Sequence, residues 1–352
     1  MELKELGKAA AAVKYDLACM PEEEKNRALL AAAEGLIRDE DRILSANAKD
    51  VADGEAKGMH PGLVDRLRLT GDRIRAMAEG LRQVSALPDP VGEVLDSFIR
   101  PNGLRIEKRR VPLGVIGIIY ESRPNVTADA FGLCFKAGNA CILKGGSDAL
   151  SSNLAISESI RTSLAECGIK PDAVQLITDT DRAVTEQFMR MNEYVDVLIP
   201  RGGAGLIRAV VEHSTVPVIE TGTGNCHIYV DEYADLAKAV PIILNAKTQR
   251  IGVCNACESL VIHEAVRERF LPVLAQALRE KHVELRGDER AQEAVPDMAK
   301  ATEKDFETEY LDYILSIKTV DSLEEAIRHI NRYSTGHSDA ILTEDKERAE
   351  RF

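Results

Sequence analysis

The fold of this chain is decided by the stretch Gly114-Val115-Ile116-Gly117-Ile118-Ile119-Tyr120 and by the pattern that follows it. The stretch is apolar without interruption, as in a strand that is buried on both faces of a sheet. Residues 126–136 then show helical spacing of apolar side chains, and residues 140–144 read as a second buried strand. A strand, a helix and a strand in this order place the two strands side by side and parallel. The stretch therefore predicts an α/β fold.

The same alternation continues to the end of the chain. We predict further strands at residues 173–178, 195–199, 216–219, 228–230, 259–263, 283–285, 313–320 and 340–342. We predict the intervening helices at residues 149–166, 183–191, 204–212, 235–248, 266–279 and 323–333. The bend at residues 220–225 separates two such series, because it joins two strands through a glycine-rich polar segment. Two α/β domains with parallel sheets follow from this pattern.

The first ninety residues differ from the rest of the chain, because their apolar residues have helical spacing and few segments have the pattern of a strand. We predict helices at residues 4–18, 22–43, 46–56 and 61–84. Residues 97–111 read instead as a β-hairpin, because Asn102-Gly103 is a strong two-residue turn signal. An isolated two-stranded ribbon is marginally stable in water. We expect the hairpin to pair with another part of the chain or with another subunit, and a solvated arm is the alternative.

The composition excludes several classes of function. The net charge of -13 and the pI near 5.2 argue against a nucleic-acid-binding surface. No apolar run approaches the length that spans a membrane, and the N-terminus carries charges that do not fit a signal peptide. The seven cysteines are an odd number without a disulfide rhythm. Reduced thiols are typical of the cytoplasm, which is the expected location.

Cys254 is the candidate nucleophile, because it lies in a glycine-bearing loop between a predicted helix and a predicted strand. A thiolate is the reactive form, and Lys247 and Arg250 are close enough in sequence to favour it. A buried thiol that packs as a small hydrophobe is the commoner alternative. Cys254 and Cys257 could also form half of a zinc site or a redox pair, although a structural zinc ion needs four ligands and no second such pair occurs. We predict no metal site.

Three predicted strand ends carry the polar or glycine residues of a nucleotide site, at residues 121–125, 144–147 and 200–205. The usual Gly-x-Gly-x-x-Gly fingerprint is absent. Gly203 and Gly205 open a helix and could approach a phosphate, while Lys144 could pair with a ribose or a 2′-phosphate. A solvated loop lysine is the alternative for Lys144.

Four segments together are more specific than any of these signals. They are Ile116 to Asn125, the turn Lys144-Gly145-Gly146-Ser147, the run Val218 to His227 with Glu-Thr-Gly-Thr-Gly-Asn-Cys-His, and Lys247-Thr248-Gln249-Arg250-x-Gly252-Val253-Cys254-Asn255. In these segments the chain resembles the gamma-glutamyl phosphate reductases of the aldehyde dehydrogenase superfamily. The resemblance implies a dinucleotide-binding domain at residues 1–95 and 113–222, an oligomerisation arm at 96–112 and a catalytic domain at 223–352. Members of that family continue beyond the position of Phe352 and usually have proline at Ile251.

The resemblance also implies the reaction, which is the NADPH-dependent reduction of L-glutamyl 5-phosphate to L-glutamate 5-semialdehyde in proline biosynthesis. A homo-oligomer through the arm and an association with glutamate 5-kinase are its implied partners. Cys254 matches the nucleophile, and Asn125 matches the asparagine that stabilises the oxyanion. Glu220 aligns with the glutamate that activates water in hydrolytic relatives, so its role here is open. The alternatives are a hydrolytic NAD(P)-dependent aldehyde dehydrogenase and a nucleotide-binding relative without catalysis.

Further residues of the implied site bind the cofactor and the substrate. Lys144 matches the lysine that holds the adenosine ribose, and Ser147 lies in the same turn. Glu309 stands where the superfamily places a glutamate on the nicotinamide ribose. Arg123 and Arg250 are hypotheses for the substrate phosphate or carboxylate, since a guanidinium binds either group through two hydrogen bonds.

Overall fold

The structure is a computed structural model and describes residues 2–220 and 222–352. The N-terminal region consists of helices α1 (Leu3–Ala18), α2 (Glu22–Arg38), α3 (Glu40–Ala56), α4 (Pro61–Leu67) and α5 (Gly71–Ala86). The predicted breaks between these helices were wrong at two places. The break predicted between helices 22–43 and 46–56 lies instead at Asp39, which ends α2 and precedes α3. The predicted helix 61–84 is interrupted before Thr70, whose hydroxyl caps α5 by accepting from the Arg73 N–H.

The predicted hairpin is confirmed as an antiparallel pair of β1 (Val94–Ile99) and β2 (Arg105–Arg109). Its turn is longer than the predicted two residues, because the Arg100 N–H donates to the Leu104 carbonyl across Pro101, Asn102 and Gly103. Gly103 has φ 82, which an L-residue adopts at a cost. The two strands form a sheet of their own.

A four-stranded sheet of parallel strands lies beyond the hairpin, in the order β5-β4-β3-β6. All six residues of β3 are buried, as the opening stretch predicts. The elements of this region are β3 (Val115–Tyr120), α6 (Asn125–Lys136), β4 (Ala140–Lys144), α7 (Leu150–Glu166), β5 (Val174–Leu176), α8 (Arg182–Phe188), β6 (Val197–Arg201) and α9 (Ala204–His213). The predicted strand 216–219 is reduced to a single bridge between Val218 and Leu198. Pro217 has no N–H to donate, which prevents a longer ladder.

The C-terminal region is built on a six-stranded sheet in the order β10-β9-β11-β8-β7-β12, and its paired strands are parallel. Its elements are β7 (Cys226–Val230), α10 (Leu236–Thr248), β8 (Cys257–His263), α11 (Glu264–Arg279), β9 (Glu284–Gly287), α12 (Glu289–Ala294), β10 (Ala299–Lys300), α13 (Glu303–Phe306), β11 (Ile314–Val320), α14 (Leu323–Tyr333), β12 (Ala340–Leu342) and α15 (Lys346–Arg351). The elements α12, β10 and α13 were not predicted, because each is too short to show a period.

The α/β class with parallel sheets is therefore confirmed. The chain divides into two compact units, Met1–Thr221 and Gly222–Phe352. Which ligand each unit binds stays a prediction. Within residues 2–220 and 222–352, every helix is too short or too polar to cross a lipid bilayer.

Candidate functional site

Cys254 lies in a loop of the second unit, between the end of α10 at Thr248 and the start of β8 at Cys257. The Asp235 side chain caps α10 by accepting from the Ala237 and Lys238 N–H groups. This cap stabilises the N-terminus of the helix that precedes the loop. Cys254 is partly exposed, whereas Cys257 is buried at 1%. The loop thus displays one of its two thiols and hides the other. This placement favours Cys254 over Cys257 as a nucleophile.

The Lys247 cation, in the last turn of the helix before this loop, binds a carboxylate rather than the thiol. Lys247 Nζ donates to Glu258 Oε2 over 2.6 Å, and both side chains are fully buried. Burial raises the pKa of the Glu258 carboxyl, and the Lys247 ammonium opposes that shift. Arg250 is exposed. The expectation that Lys247 favours the Cys254 thiolate is therefore corrected, because the Lys247 ammonium is paired with Glu258.

The glycine-rich segment before β7 packs directly on the Cys254 backbone. A Cβ at Gly224 would lie 2.7 Å from Cys254 Cα and closer still to the Cys254 carbonyl oxygen. The Cys226 thiol donates to that carbonyl oxygen over 3.2 Å. Burial raises the pKa of Cys226 to about 12, so the thiol keeps its proton at neutral pH. Sequence reasoning missed both roles, although the two glycines of the Gly-Thr-Gly motif were a signal for Gly224.

Glu309 reaches the same segment, because its Oε1 accepts from the Gly224 N–H over 3.0 Å. Leu311 follows in a left-handed conformation with φ 53, and its N–H donates to Glu258 Oε1 over 3.1 Å. The loop of Glu309 is thereby fixed at two points. The structure brings Glu309 and the Cys254 loop together through Gly224, and the role of Glu309 on a ribose stays a prediction.

Asn225 anchors the segment to the rest of the second unit. Its Nδ2 donates to the carbonyls of Phe306 and Tyr333, each over 2.8 Å. Its N–H donates to Thr335 Oγ1.

Burial raises the pKa of Cys257 to about 12. In the part of the chain that the structure describes, no group of three His, Cys, Asp or Glu side chains could hold a metal ion.

A buried histidine beside this anchor predicts how stability depends on pH. Burial lowers the pKa of His329 to about 3 from its ordinary value of 6.5, and the nearby His227, Lys318 and Arg332 lower it further, while Asp288 opposes them. The unfolded chain binds this proton below pH ~6.5 and the folded chain does not until pH ~3. Stability therefore falls as the pH falls through this window, by up to about 1.4 kcal/mol per pH unit.

His329→Phe removes this titration, and the ring contacts of His329 with Phe306 and Tyr333 suit an aromatic replacement. Urea unfolding at pH 7, 6 and 5 should show a weaker loss of stability in His329→Phe than in the parent chain. His213→Gln, at an exposed position, is the control and should follow the parent curve. Parallel curves for the parent and His329→Phe would contradict the assignment.

The first unit carries the other residues predicted for the site. Asn125 begins α6, and its Nδ2 donates to Asp129 Oδ2 over 2.9 Å. Arg123 precedes it by two positions and is partly buried. Glu220 is exposed, just after the bridge at Val218. Their roles in catalysis and in substrate binding stay predictions.

Lys144 and Ser147 lie at the carboxyl end of β4, where a parallel sheet binds its ligands. Lys144 is buried at 6% rather than solvated, which corrects the alternative that it is a solvated loop lysine. Its Nζ donates to the Gly145 carbonyl over 3.2 Å. Burial lowers the pKa of Lys144, and the Asp179 carboxylate opposes this shift. Ser147 is exposed in the turn that leads into α7.

The N-terminus of α9 already has a carboxylate on it. The Gly203 N–H donates to Glu121 Oε2 over 2.8 Å. A cofactor phosphate at Gly203 would meet this negative charge, so the Glu121 carboxylate has to leave before a phosphate binds there. Gly205 has open space where a side chain would stand. Sequence reasoning missed Glu121, because its contact with Gly203 joins residues 82 positions apart.

Comparison with known proteins places the chain among enzymes of one family. The sequence model of the aldehyde dehydrogenase family matches residues 1–296. A gamma-glutamyl phosphate reductase of Lachnospira eligens is 59% identical over 99% of this chain and 84% of its own length. The crystal structure of a gamma-glutamyl phosphate reductase from Thermotoga maritima is 50% identical and superposes with a TM-score of 0.95, over 100% of this chain and 85% of that one. A probable aldehyde dehydrogenase from Listeria monocytogenes shares the fold at 17% identity, with a TM-score of 0.71 over 99% of this chain and 83% of that one.

Proposed function

The chain belongs to the gamma-glutamyl phosphate reductases of the aldehyde dehydrogenase family, and we propose that it reduces L-glutamyl 5-phosphate to L-glutamate 5-semialdehyde and phosphate. This reaction is the second step of proline synthesis from glutamate. The observation that carries the proposal is the display of Cys254 in a loop packed against the Gly-Thr-Gly-Asn segment. The high identity to reductases over nearly the whole chain supports it.

The proposed chemistry is a displacement at an acyl phosphate. The Cys254 thiolate attacks the acyl carbon, a carbon–sulfur bond forms, and the bond to the phosphate oxygen breaks. The resulting thioester keeps the acyl group on the protein for reduction. When the reduced adduct collapses, the aldehyde leaves and Cys254 is regenerated. Negative charge develops on the carbonyl oxygen at each step, and the Cys254 backbone N–H and, by resemblance, Asn125 are the proposed donors to it.

The family implies a nicotinamide cofactor, and we propose NADPH. The Lys144 ammonium and the Ser147 hydroxyl are donors at one strand end, which suits a ribose or its 2′-phosphate. Bound there, NADPH supplies the hydride that reduces the thioester. Gly205 and Gly203 are the proposed diphosphate contacts, with the Glu121 carboxylate moving away, and Glu309 is the proposed contact to the nicotinamide ribose.

Substrate recognition is proposed to use Arg123 and Arg250. A guanidinium binds a phosphate or a carboxylate through two hydrogen bonds, and the substrate carries one of each group. Glu220 is proposed to orient Cys254 or to act structurally rather than to activate water, since water attack on the thioester would waste the acyl phosphate.

Assembly is proposed to use the β1–β2 arm. Phe98 is 44% exposed, Ile99 72% and Leu104 56%, although all three are apolar. A small ribbon with such side chains is stabilised when a second sheet edge or surface covers it. We propose a homo-oligomer formed through the arm, located in the cytoplasm, and an association with glutamate 5-kinase.

The function is tested in the reverse direction, with L-glutamate 5-semialdehyde and NADP and with phosphate present or absent. Phosphate-dependent formation of NADPH is the expected result. Turnover that proceeds equally without phosphate would assign a hydrolytic dehydrogenase instead. NADPH binding without turnover in either condition would assign a non-catalytic nucleotide-binding protein. Repeating the assay with NAD measures the cofactor preference.

A further inference from the structure

We propose that the buried ion pair of Lys247 and Glu258 positions the Cys254 loop, and that Glu258 joins this loop to the loop that carries Glu309. Lys247 and Glu258 are positioning residues in this proposal, since they act through the backbone of other residues. The proposal rests on the proposed function only for its kinetic test, and its structural tests stand without it.

The ion pair spans the two ends of the nucleophile loop. Lys247 lies in the last turn of α10, and Glu258 is the second residue of β8. The 2.6 Å contact between Lys247 Nζ and Glu258 Oε2 therefore ties the last turn of the helix before the loop to the strand after it. Both side chains are fully buried, so neither solvent nor salt screens this contact as it would a surface pair. The two ends of the loop are held at a fixed separation.

The second oxygen of Glu258 extends the connection to another loop. Glu258 Oε1 accepts from the Leu311 N–H over 3.1 Å, at a residue whose φ of 53 is rare outside glycine. Two residues earlier, Glu309 accepts from the Gly224 N–H. Gly224 in turn packs on the Cys254 backbone. The contacts form a closed circuit from the Cys254 loop through Glu258, Leu311, Glu309 and Gly224 back to Cys254.

A buried ion pair is a poor choice if stability alone is needed. Replacing such a pair with apolar side chains of similar size is often neutral for stability, because the charges lose their hydration. A hydrogen-bonded ion pair is directional, however, and it fixes the relative position of the two segments that carry it. A shift of about 1 Å at a reacting group can cost ~10²-fold in rate. A contact that fixes the loop of a nucleophile therefore has a use that apolar packing lacks.

The test uses two double variants that leave no buried charge unpaired. Lys247→Met with Glu258→Gln removes the ion pair and keeps an oxygen that accepts from the Leu311 N–H. Lys247→Met with Glu258→Leu removes both contacts. The control is Asp231→Asn, which breaks the Arg348–Asp231 pair at the other end of β7 in the same unit.

Three measurements separate positioning from a general loss of stability. In both double variants we expect alkylation of Cys254 by iodoacetamide to become about tenfold faster, because the loop opens. In the same variants kcat should fall by about tenfold or more while KM changes by less than about twofold. Hydrogen exchange of the Leu311 amide should stay slow with Glu258→Gln and become fast with Glu258→Leu. Asp231→Asn should leave all three unchanged.

An alkylation rate and a Leu311 exchange rate that match the parent chain in both double variants would overturn the proposal. So would equal changes in Asp231→Asn, because they would reduce the effect to general destabilisation. If the parent chain shows no phosphate-dependent turnover, the proposed function fails, and the alkylation and exchange measurements still decide the positioning role.

Discussion

Replacing Cys254 with alanine is expected to lower phosphate-dependent turnover by a factor on the order of 10⁶, which is the scale for loss of a catalytic nucleophile. Without the sulfur, the acyl group has nothing to bond to and no thioester forms. The fold should be unaffected, because Cys254 is partly exposed in a loop and its side chain is small. The measurement is the rate of NADPH formation from the semialdehyde at saturating phosphate, beside the unfolding midpoint of the same variant.

Cys19→Ala is the matched control, since Cys19 is an exposed free thiol outside the site. The Cys19→Ala variant should keep the parent activity. Iodoacetamide should still inactivate it, because Cys254 is present and can be alkylated. An alanine variant of Cys254 that retained more than a small fraction of the turnover would exclude this thiol as the nucleophile. Retention of NADPH binding in that variant would show that only the chemical step is lost.

Gly224→Ala is expected to reduce turnover by about 10²-fold, because it moves the backbone that carries the nucleophile. The added methyl group would overlap the Cys254 backbone, with the Cys254 Cα 2.7 Å away. Backbone atoms cannot rotate aside as the end of a flexible side chain can. The free energy of unfolding should fall by about 1–3 kcal/mol, as in other overpacked sites. The measurements are steady-state kinetics and urea unfolding.

Gly222→Ala tests whether this effect belongs to the contact or to the motif in general. Gly222 is two positions earlier in the same segment, and a Cβ there would come no nearer than 3.9 Å to the Thr335 carbonyl oxygen. We expect Gly222→Ala to leave stability within about 0.5 kcal/mol of the parent, as for substitutions away from packed features. Equal losses in the two variants would show that the glycines are needed for flexibility and not for the close approach to Cys254.

The two contacts of the Glu258 carboxylate could not be predicted from the sequence. The spacing of Cys254 and Cys257 suggested a zinc site or a redox pair. Glu258, next to Cys257 near the start of a predicted strand, was assigned no role. Only the packing of α10, β8 and the loop before β11 brings Lys247 and Leu311 to the same carboxylate. The contact partner of a buried charge depends on residues that are distant in sequence, and no local period records it.

The sequence by itself determined the α/β class, the hairpin and the display of Cys254 between a helix and a strand. Those features depend on local periodicity, turn residues and short-range spacing, which the chain carries in each segment. Its motifs also indicated the family that the comparisons bear out. The tertiary structure alone decided that Lys247 pairs with Glu258, that Glu121 accepts from the Gly203 N–H before α9 and that Gly224 must lack a side chain. These are contacts between segments, and they depend on distances that exist only after the sheets have formed.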